Sequence, residues 1–233
     1  MSGILYGVGL GPGDPELMTV KSSRLISDAK VIAYPSLAGG ESFARSIAAD
    51  LISPQAEEIV MDVPMTVERA PAQAAYDIGA KSIAATLDRG DDVICLCEGD
   101  PFFYGSFMYL YARLATDYQV VVVPGVTSIT ACAARAGMPL AARNERLTVL
   151  PGPLPAEELR ARIEGAESVV IMKVGRHLPK IRAVIEQLGL TGQASYIERA
   201  SLPDELVCPL AEAPEKAPYF SMIILTKGAD PWL

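Results

Sequence analysis

The stretch Gly7-Val8-Gly9-Leu10-Gly11-Pro12-Gly13-Asp14 decides the fold, because it joins a short apolar run to an amphipathic one. Its four glycines lack side chains and tolerate positive φ, so another molecule can approach this backbone closely. The run before it, residues 4–8, has the length and composition of a buried strand, and residues 15–28 follow with helical spacing. This glycine turn, residues 7–14, therefore predicts a strand–turn–helix unit of an α/β protein.

The alternation of strand and helix continues along the chain. Further strands are predicted at 31–34, 58–61, 93–97, 119–123, 147–150, 168–173, 194–198 and 220–226. Helices are predicted at 42–51, 72–88, 106–115, 128–136, 156–164 and 179–188. Strands separated by helices favour an α/β fold with largely parallel pairing in the first half.

Proline and glycine are dense between residues 124 and 155, which indicates a domain boundary near residue 125. We therefore predict two α/β domains, an N-terminal one at 1–124 and a C-terminal one at 125–233. Both lengths are ordinary for single domains.

The glycine turn departs from the phosphate-binding patterns. In a GxGxxG turn the sixth residue is glycine, whereas here it is Pro12 counted from Gly7 and Asp14 counted from Gly9. The carboxylate of Asp14 would also oppose a pyrophosphate. A plain structural role stays open, since Asp14 followed by Pro15 is typical of a helix start.

Two further turns follow predicted strands. The acidic turn, Glu98-Gly99-Asp100-Pro101-Phe102-Phe103-Tyr104-Gly105, offers carboxylates and aromatic rings. Such a mixture suits adenosine and a sulfonium cation, although a turn with core aromatics is an alternative. The Pro-Gly turn, Pro124-Gly125-Val126-Thr127-Ser128, starts a helix whose N–H groups can hold a carboxylate, or Thr127 or Ser128 serves only as its cap.

Composition excludes several classes of function. The 233 residues carry a formal net charge of -8, which opposes binding to a nucleic acid backbone. No apolar run is long enough to span a membrane, and we expect no signal peptide. The four cysteines have no zinc-type spacing and His177 is the only histidine, so we expect no metal site and a reducing, cytoplasmic setting.

Taken in this order and spacing, the three turns resemble those of the tetrapyrrole (class III) methyltransferases. The shared motifs are GxGPGDP-E-L-T at 9–19, GDP-F within 98–103 and PGVTS at 124–128, followed by Ala-Gly-x-Pro-Leu at 136–140. Glu98, the stretch 98–114, VPMT at 63–66, VVIMKVGRH at 169–177 and YFSMIIL at 219–225 are similar to the branch that methylates precorrin-2 at carbon 20.

The resemblance implies a methyl donor, S-adenosyl-L-methionine, held between two α/β domains of a homodimer, and a tetrapyrrole substrate. By motif position it implies cofactor contacts from Pro12, Glu98, Gly99, Asp100, Phe103, Thr127, Ser128, Met172 and Ala200. For Met172 a core position on a strand is an equal alternative. Other tetrapyrroles as substrates, and a binding module without catalysis, also stay open.

Two sets of residues are assigned to chemistry beyond cofactor binding. Asp14 is the candidate base for the proton that leaves the methylated carbon. An acidic protein that binds a polycarboxylate must concentrate its cations locally, and the candidates for substrate binding are Arg143, Arg146, Lys173 and Arg176, each with solvated surface as the alternative.

Overall fold

A computed structural model describes residues 2–37, 40–64 and 69–228. The chain divides into two compact units, Met1–Thr127 and Ser128–Leu233. The predicted boundary between residues 124 and 125 falls inside the Pro-Gly turn, just before this division.

The first unit is built on a parallel five-stranded sheet in the order β3-β2-β4-β1-β5. Its strands are β1 (Leu5–Gly9), β2 (Val31–Ser36), β3 (Glu57–Asp62), β4 (Val93–Cys97) and β5 (Val120–Val123). Its helices are α1 (Val20–Ser27), α2 (Phe43–Ile47), α3 (Arg69–Asp88) and α4 (Phe107–Leu114).

Helices cover both faces of this sheet, and the alternation of side chains along β4 shows why. Cys95 and Cys97 belong to a buried cluster with side chains of α3 and α4, whereas Ile94 and Leu96 belong to a cluster with side chains of α1 and α2. All five residues of β4 are buried. A continuous apolar run of this kind is typical of a parallel strand covered on both faces.

The second unit contains a mixed five-stranded sheet in the order β6-β7-β10-β8-β9. Its strands are β6 (Leu147–Pro151), β7 (Ser168–Met172), β8 (Ala194–Glu198), β9 (Leu206–Pro209) and β10 (Ser221–Thr226). Its helices are α5 (Ser128–Ala136), α6 (Ala156–Glu164) and α7 (Leu178–Gln187). β6 and β7 are parallel, and β10 is antiparallel to both β7 and β8, so β6, β7 and β8 share a carboxyl edge.

The predicted α/β class and the parallel first sheet are confirmed. Two predicted helices are each interrupted, and one strand was missed. The helix predicted at 42–51 is α2 followed by a 3₁₀ turn, Ala49–Leu51. Residues 15–28 form a 3₁₀ turn, Pro15–Leu17, and then α1, because Thr19 caps a new helix by accepting the N–H of Ser22 at 3.1 Å. The edge strand β9 was not predicted. Within the described part of the chain, no helix combines the length and apolar character that crossing a bilayer requires.

Candidate functional site

The three turns of the sequence analysis follow β1, β4 and β5, which are neighbours in the first sheet in the order β4-β1-β5. Since these strands are parallel, their carboxyl ends lie at one edge. Ligands of open α/β sheets bind at this edge. The first unit therefore brings the glycine turn, the acidic turn and the start of the Pro-Gly turn together.

The glycine turn and the acidic turn are joined by backbone hydrogen bonds. Gly11 and Gly99 exchange both: the N–H of Gly11 donates to the carbonyl of Gly99 at 3.2 Å, and the N–H of Gly99 donates to that of Gly11 at 2.8 Å. Both glycines have positive φ, 81° and 63°. This conformation disfavours side chains, so the crossing depends on glycine at both positions.

The Pro-Gly turn approaches the same crossing so closely that no side chain fits. A Cβ added to Gly125 would lie 2.1 Å from the carbonyl oxygen of Gly99, and one added to Gly9 would lie 2.6 Å from the Cα of Gly125. The obstructing atoms are backbone, which a rotamer change cannot move. Three chain segments thus meet as bare backbone, and this close approach depends on glycine at both positions.

Asp100 holds the acidic turn in shape and ties it to the Pro-Gly turn. Its Oδ1 accepts the N–H groups of Phe102 and Phe103 at 2.9 and 3.1 Å, and its Oδ2 accepts the N–H of Gly125 at 3.0 Å. A carboxylate that accepts several backbone N–H bonds is strongly oriented. Both oxygens of Asp100 are thus engaged in organising the site, and its direct contact with the cofactor stays a prediction.

Glu98 differs from Asp100 in that no hydrogen bond or ion pair joins its carboxyl to any described residue. The Glu98 side chain is exposed to solvent. The protein atoms packed around its carboxyl group nevertheless desolvate it and raise its pKa to about 7. A crowded carboxyl without a partner is a group that a bound cation would stabilise in its charged form.

The remaining predicted residues of the first unit lie in the same turns. Pro12, Phe103 and Thr127 are half-buried, and the rings of Phe103 and Tyr104 meet edge to face with centroids 5.2 Å apart. Asp14 accepts the N–H of Glu16 at 2.9 Å, which is the capping role foreseen as its alternative. Its role as a base stays a prediction.

In the second unit, the predicted residues cluster at the shared carboxyl edge of β7 and β8. Met172 ends β7 and is half-buried, and Lys173 follows it with a φ of 56°. Ala200, which is buried, follows β8 between Arg199 and Ser201, whose φ values are 50° and 70°. Non-glycine residues held in this conformation concentrate at functional sites. Ser128 is the first residue of α5.

The structure separates Arg143 and Arg146 from the other predicted substrate residues, Lys173 and Arg176. Arg146 precedes β6 and forms a two-pronged ion pair with Glu167, which precedes the parallel strand β7. Lys173 follows β7 and Arg176 lies just beyond it, so roughly 15 Å of strand stands between the two positions. Arg143, with a φ of 47°, lies in the turn of 142–145 that precedes β6. The proposed group of four cations is not assembled at one edge.

Comparison with known proteins places this site in a family. The model of the tetrapyrrole (corrin/porphyrin) methylases matches residues 4–214, which include all three turns and both sheets except for β10. The chain belongs to this family. The resemblance inferred from the motifs is thereby confirmed.

Relatives of known name agree with this assignment. The chain is 41% identical to a precorrin-2 C(20)-methyltransferase of Sinorhizobium sp. over 99% of both chains. It is 33% identical to a cobalt-precorrin-2 C(20)-methyltransferase of Salmonella typhimurium, over 97% of this chain and 98% of that protein. It is also 43% identical, over 97% of its length, to the cobalamin biosynthesis protein CobIJ of Mycobacterium tuberculosis, but spans only 46% of that protein.

Solved structures share the fold. A uroporphyrin-III C-methyl transferase from Thermus thermophilus, in complex with S-adenyl homocysteine, has a TM-score of 0.68 and 26% identity to this chain. The match covers 97% of this chain and 92% of the other.

Proposed function

We propose that this protein transfers a methyl group from S-adenosyl-L-methionine to carbon 20 of precorrin-2, giving precorrin-3A in cobalamin (corrin) biosynthesis. Two lines support the proposal: family membership, and full-length similarity to a relative named for this reaction. The observation that carries it is the meeting of three glycine-marked turns beside Glu98, a carboxyl suited to a cation and unsuited to a phosphate.

The residues of the first unit fit the methyl donor. Gly9 and Gly125 allow the three turns to meet, since a Cβ at either position would collide with neighbouring backbone. Glu98 offers negative charge to a sulfonium, and Phe103 offers an apolar ring to an adenine. Pro12 and Thr127 border the same turns. The donor supplies an electrophilic methyl group with a neutral leaving thioether, so the protein needs no strong acid to assist departure.

The protein's contribution to this chemistry is position and the removal of a proton. The carbon–sulfur bond breaks as the carbon–carbon bond forms, and its electron pair returns to sulfur. The methylated carbon then loses a proton. Orientation of the reacting atoms can supply up to about 7–11 kcal/mol of such a rate enhancement. Asp100 serves orientation by holding two turns together, and Asp14 is the proposed proton acceptor.

Incubation of the purified protein with precorrin-2 and methyl-labelled S-adenosyl-L-methionine tests the proposal. The expected product is heavier by one methyl group, with the label on carbon 20. Label on another carbon would contradict the position proposed. Tight binding of both ligands without turnover would favour a binding module.

Cobalt-precorrin-2 is a second candidate substrate, because the Salmonella relative named for it matches over nearly its whole length. Parallel assays with the metal-free and the cobalt-containing tetrapyrrole separate the two. The better substrate is the one with the larger kcat/KM. Other tetrapyrroles, such as uroporphyrinogen III or a later precorrin, are compared by kcat/KM in the same assay.

A homodimer in the cytoplasm is part of the proposal. The exposed aromatic and methionine side chains of the acidic turn and α4, Phe102, Met108, Tyr109 and Tyr111, support a self-associating surface. The cysteines Cys95, Cys97, Cys132 and Cys208 are free thiols, which suits a reducing compartment. Light scattering coupled to gel filtration would measure the mass; a monomer at assay concentration would contradict the dimer.

A further inference from the structure

The chain after β7 carries a concentration of positive charge in an otherwise acidic protein. Between Ser168 and Ile185 there is no aspartate or glutamate, while the basic segment, residues 173–182, contains Lys173, Arg176, Lys180 and Arg182. His177, the only histidine, lies among them. The whole chain has a net charge of -8, so this concentration is local.

Arginines elsewhere in the described residues are mostly ion-paired with carboxylates: Arg45, Arg89, Arg113, Arg135, Arg146, Arg162 and Arg199. The basic segment differs. Lys180 donates to the carbonyl of Gly152 at 2.8 Å, and Arg182 donates to that of Leu210 at 3.1 Å. Arg176 is exposed, and no ion pair joins it to a described carboxylate. Its nearest polar contact is Nε to Nε2 of His177 at 3.5 Å.

The segment is held in place on two sides. Lys180 ties it to the turn after β6. The N–H of Gly175 donates to Oγ of Ser221, at the start of β10, at 3.2 Å. Its own turn is closed by the N–H of His177, which donates to the carbonyl of Val174 at 2.7 Å. The backbone at Arg176 and His177 is therefore held before any ligand arrives, which lowers the entropy lost on binding.

The positive charges of this segment affect the pKa of His177. Burial lowers the pKa of its imidazole, and the charges of Lys180 and Arg176 lower it further. Among the described residues, Lys180 and Arg176 are the charged groups that shift the pKa of His177, and no carboxylate offsets their effect on it. An anion at this position would reverse the effect, since an opposite charge nearby favours the protonated ring.

We propose that Arg176 and His177 form a subsite for a carboxylate of the tetrapyrrole substrate, and that His177 takes up a proton when this carboxylate binds. The inference rests on the proposed function and extends it, because it adds His177 and names the chemical group bound. Arg176 supplies a permanent charge. His177 supplies a second one more readily when an anion is bound beside it.

Isothermal titration of the full-length protein with uroporphyrin III tests the subsite. This stable porphyrin keeps the acetate and propionate side chains. Arg176→Gln and His177→Gln are each expected to weaken binding roughly five-fold at low salt, the loss of about one exposed ion pair, and to differ less from wild type at high salt. Arg162→Gln, on α6 and paired with Glu158, removes the same charge and should leave binding unchanged.

Proton uptake provides a readout that a structural role would not change. Titrations near neutral pH in two buffers of different ionisation enthalpy give the number of protons taken up on binding. That number should be smaller for His177→Gln than for wild type, and the same for Arg162→Gln as for wild type. Affinity for S-adenosylhomocysteine, measured on every variant, should not change.

The outcomes separate the subsite from the proposed function. Porphyrin binding and proton uptake that both substitutions leave at wild-type values would overturn the subsite alone. If the unsubstituted protein bound S-adenosylhomocysteine but no tetrapyrrole, the proposed function would be contradicted and the subsite with it. Weakening by both substitutions, with the salt dependence and the loss of proton uptake, supports the subsite.

Discussion

Glu98 is the residue whose environment and proposed role are most directly linked. Its pKa in the folded protein is raised to about 7, so between its unfolded value and pH 7 the folded state retains a proton that the unfolded state has lost. Stability therefore falls as pH rises through this window and stays lower above it. Glu98→Gln removes this effect and should stabilise the protein more near pH 8 than near pH 5.

Urea unfolding of wild type and Glu98→Gln at both pH values measures this difference, with the exposed Glu41→Gln as control. Near pH 8 the ratio of affinity for S-adenosylmethionine to affinity for S-adenosylhomocysteine should be lower for Glu98→Gln than for wild type. The reason is that only S-adenosylmethionine carries the sulfonium charge. The same ratio of the two affinities in Glu98→Gln and in wild type would show that Glu98 does not contribute to recognition of the cation.

Gly125 gives a prediction about close backbone approach. In Gly125→Ala the new Cβ would lie 2.1 Å from the carbonyl oxygen of Gly99, and only a backbone shift could relieve the overlap. We expect a loss of about 1–3 kcal/mol in the free energy of unfolding, typical of overpacking. Gly192→Ala, where a Cβ meets nothing within 4 Å, is the control. Equal urea midpoints for the two variants would contradict the close approach.

Asp100 acts at the scale of elements, since it joins the turn after β4 to the turn after β5. In Asp100→Asn the amide can still accept from Phe102 and Phe103, but its NH₂ then faces the N–H of Gly125. We expect about 1–3 kcal/mol of destabilisation and weaker binding of S-adenosylhomocysteine. Asp92→Asn is the control, because Asp92 accepts the N–H of Ile4 at 2.7 Å before the other end of β4. It should leave affinity unchanged; equal losses of affinity would make the role of Asp100 non-specific.

The elements show which sequence signals are sufficient for prediction. The run at 93–97 is wholly apolar, and the run at 194–198 contains the apolar residues Ala194, Tyr196 and Ile197. Both are bounded by polar residues, and both strands have the predicted limits. β9 is short and ends in Pro209, and it is held by antiparallel pairing with β8, the strand before it, across the connection 199–205. The bond between Asp100 and Gly125, and the pairing of Arg146 with Glu167, likewise depend on the tertiary fold.

At the scale of the whole molecule, the sequence predicts cofactor contacts from both units. The contacts that join the glycine, acidic and Pro-Gly turns all lie within the first unit. Motif order was sufficient to find the three turns, because each follows a strand whose neighbours are set by the sheet order. Met172 and Ala200 are predicted by resemblance alone. The residues next to them, Lys173, Arg199 and Ser201, have positive φ. A backbone conformation of this kind does not by itself identify a ligand.

Hydrogen exchange of the full chain with and without S-adenosylhomocysteine tests these contacts. At a concentration about 100-fold above Kd the ligand stabilises the bound form by about 2.7 kcal/mol, enough to slow exchange where it binds. We expect protection at 7–14, 98–105 and 124–128, and also at 172–175 and 198–201 if Met172 and Ala200 contact the cofactor. The edge strand β9, residues 206–209, is the internal control and should not change. Protection confined to the first unit would contradict both Met172 and Ala200, and its absence from the three turns would contradict the site itself.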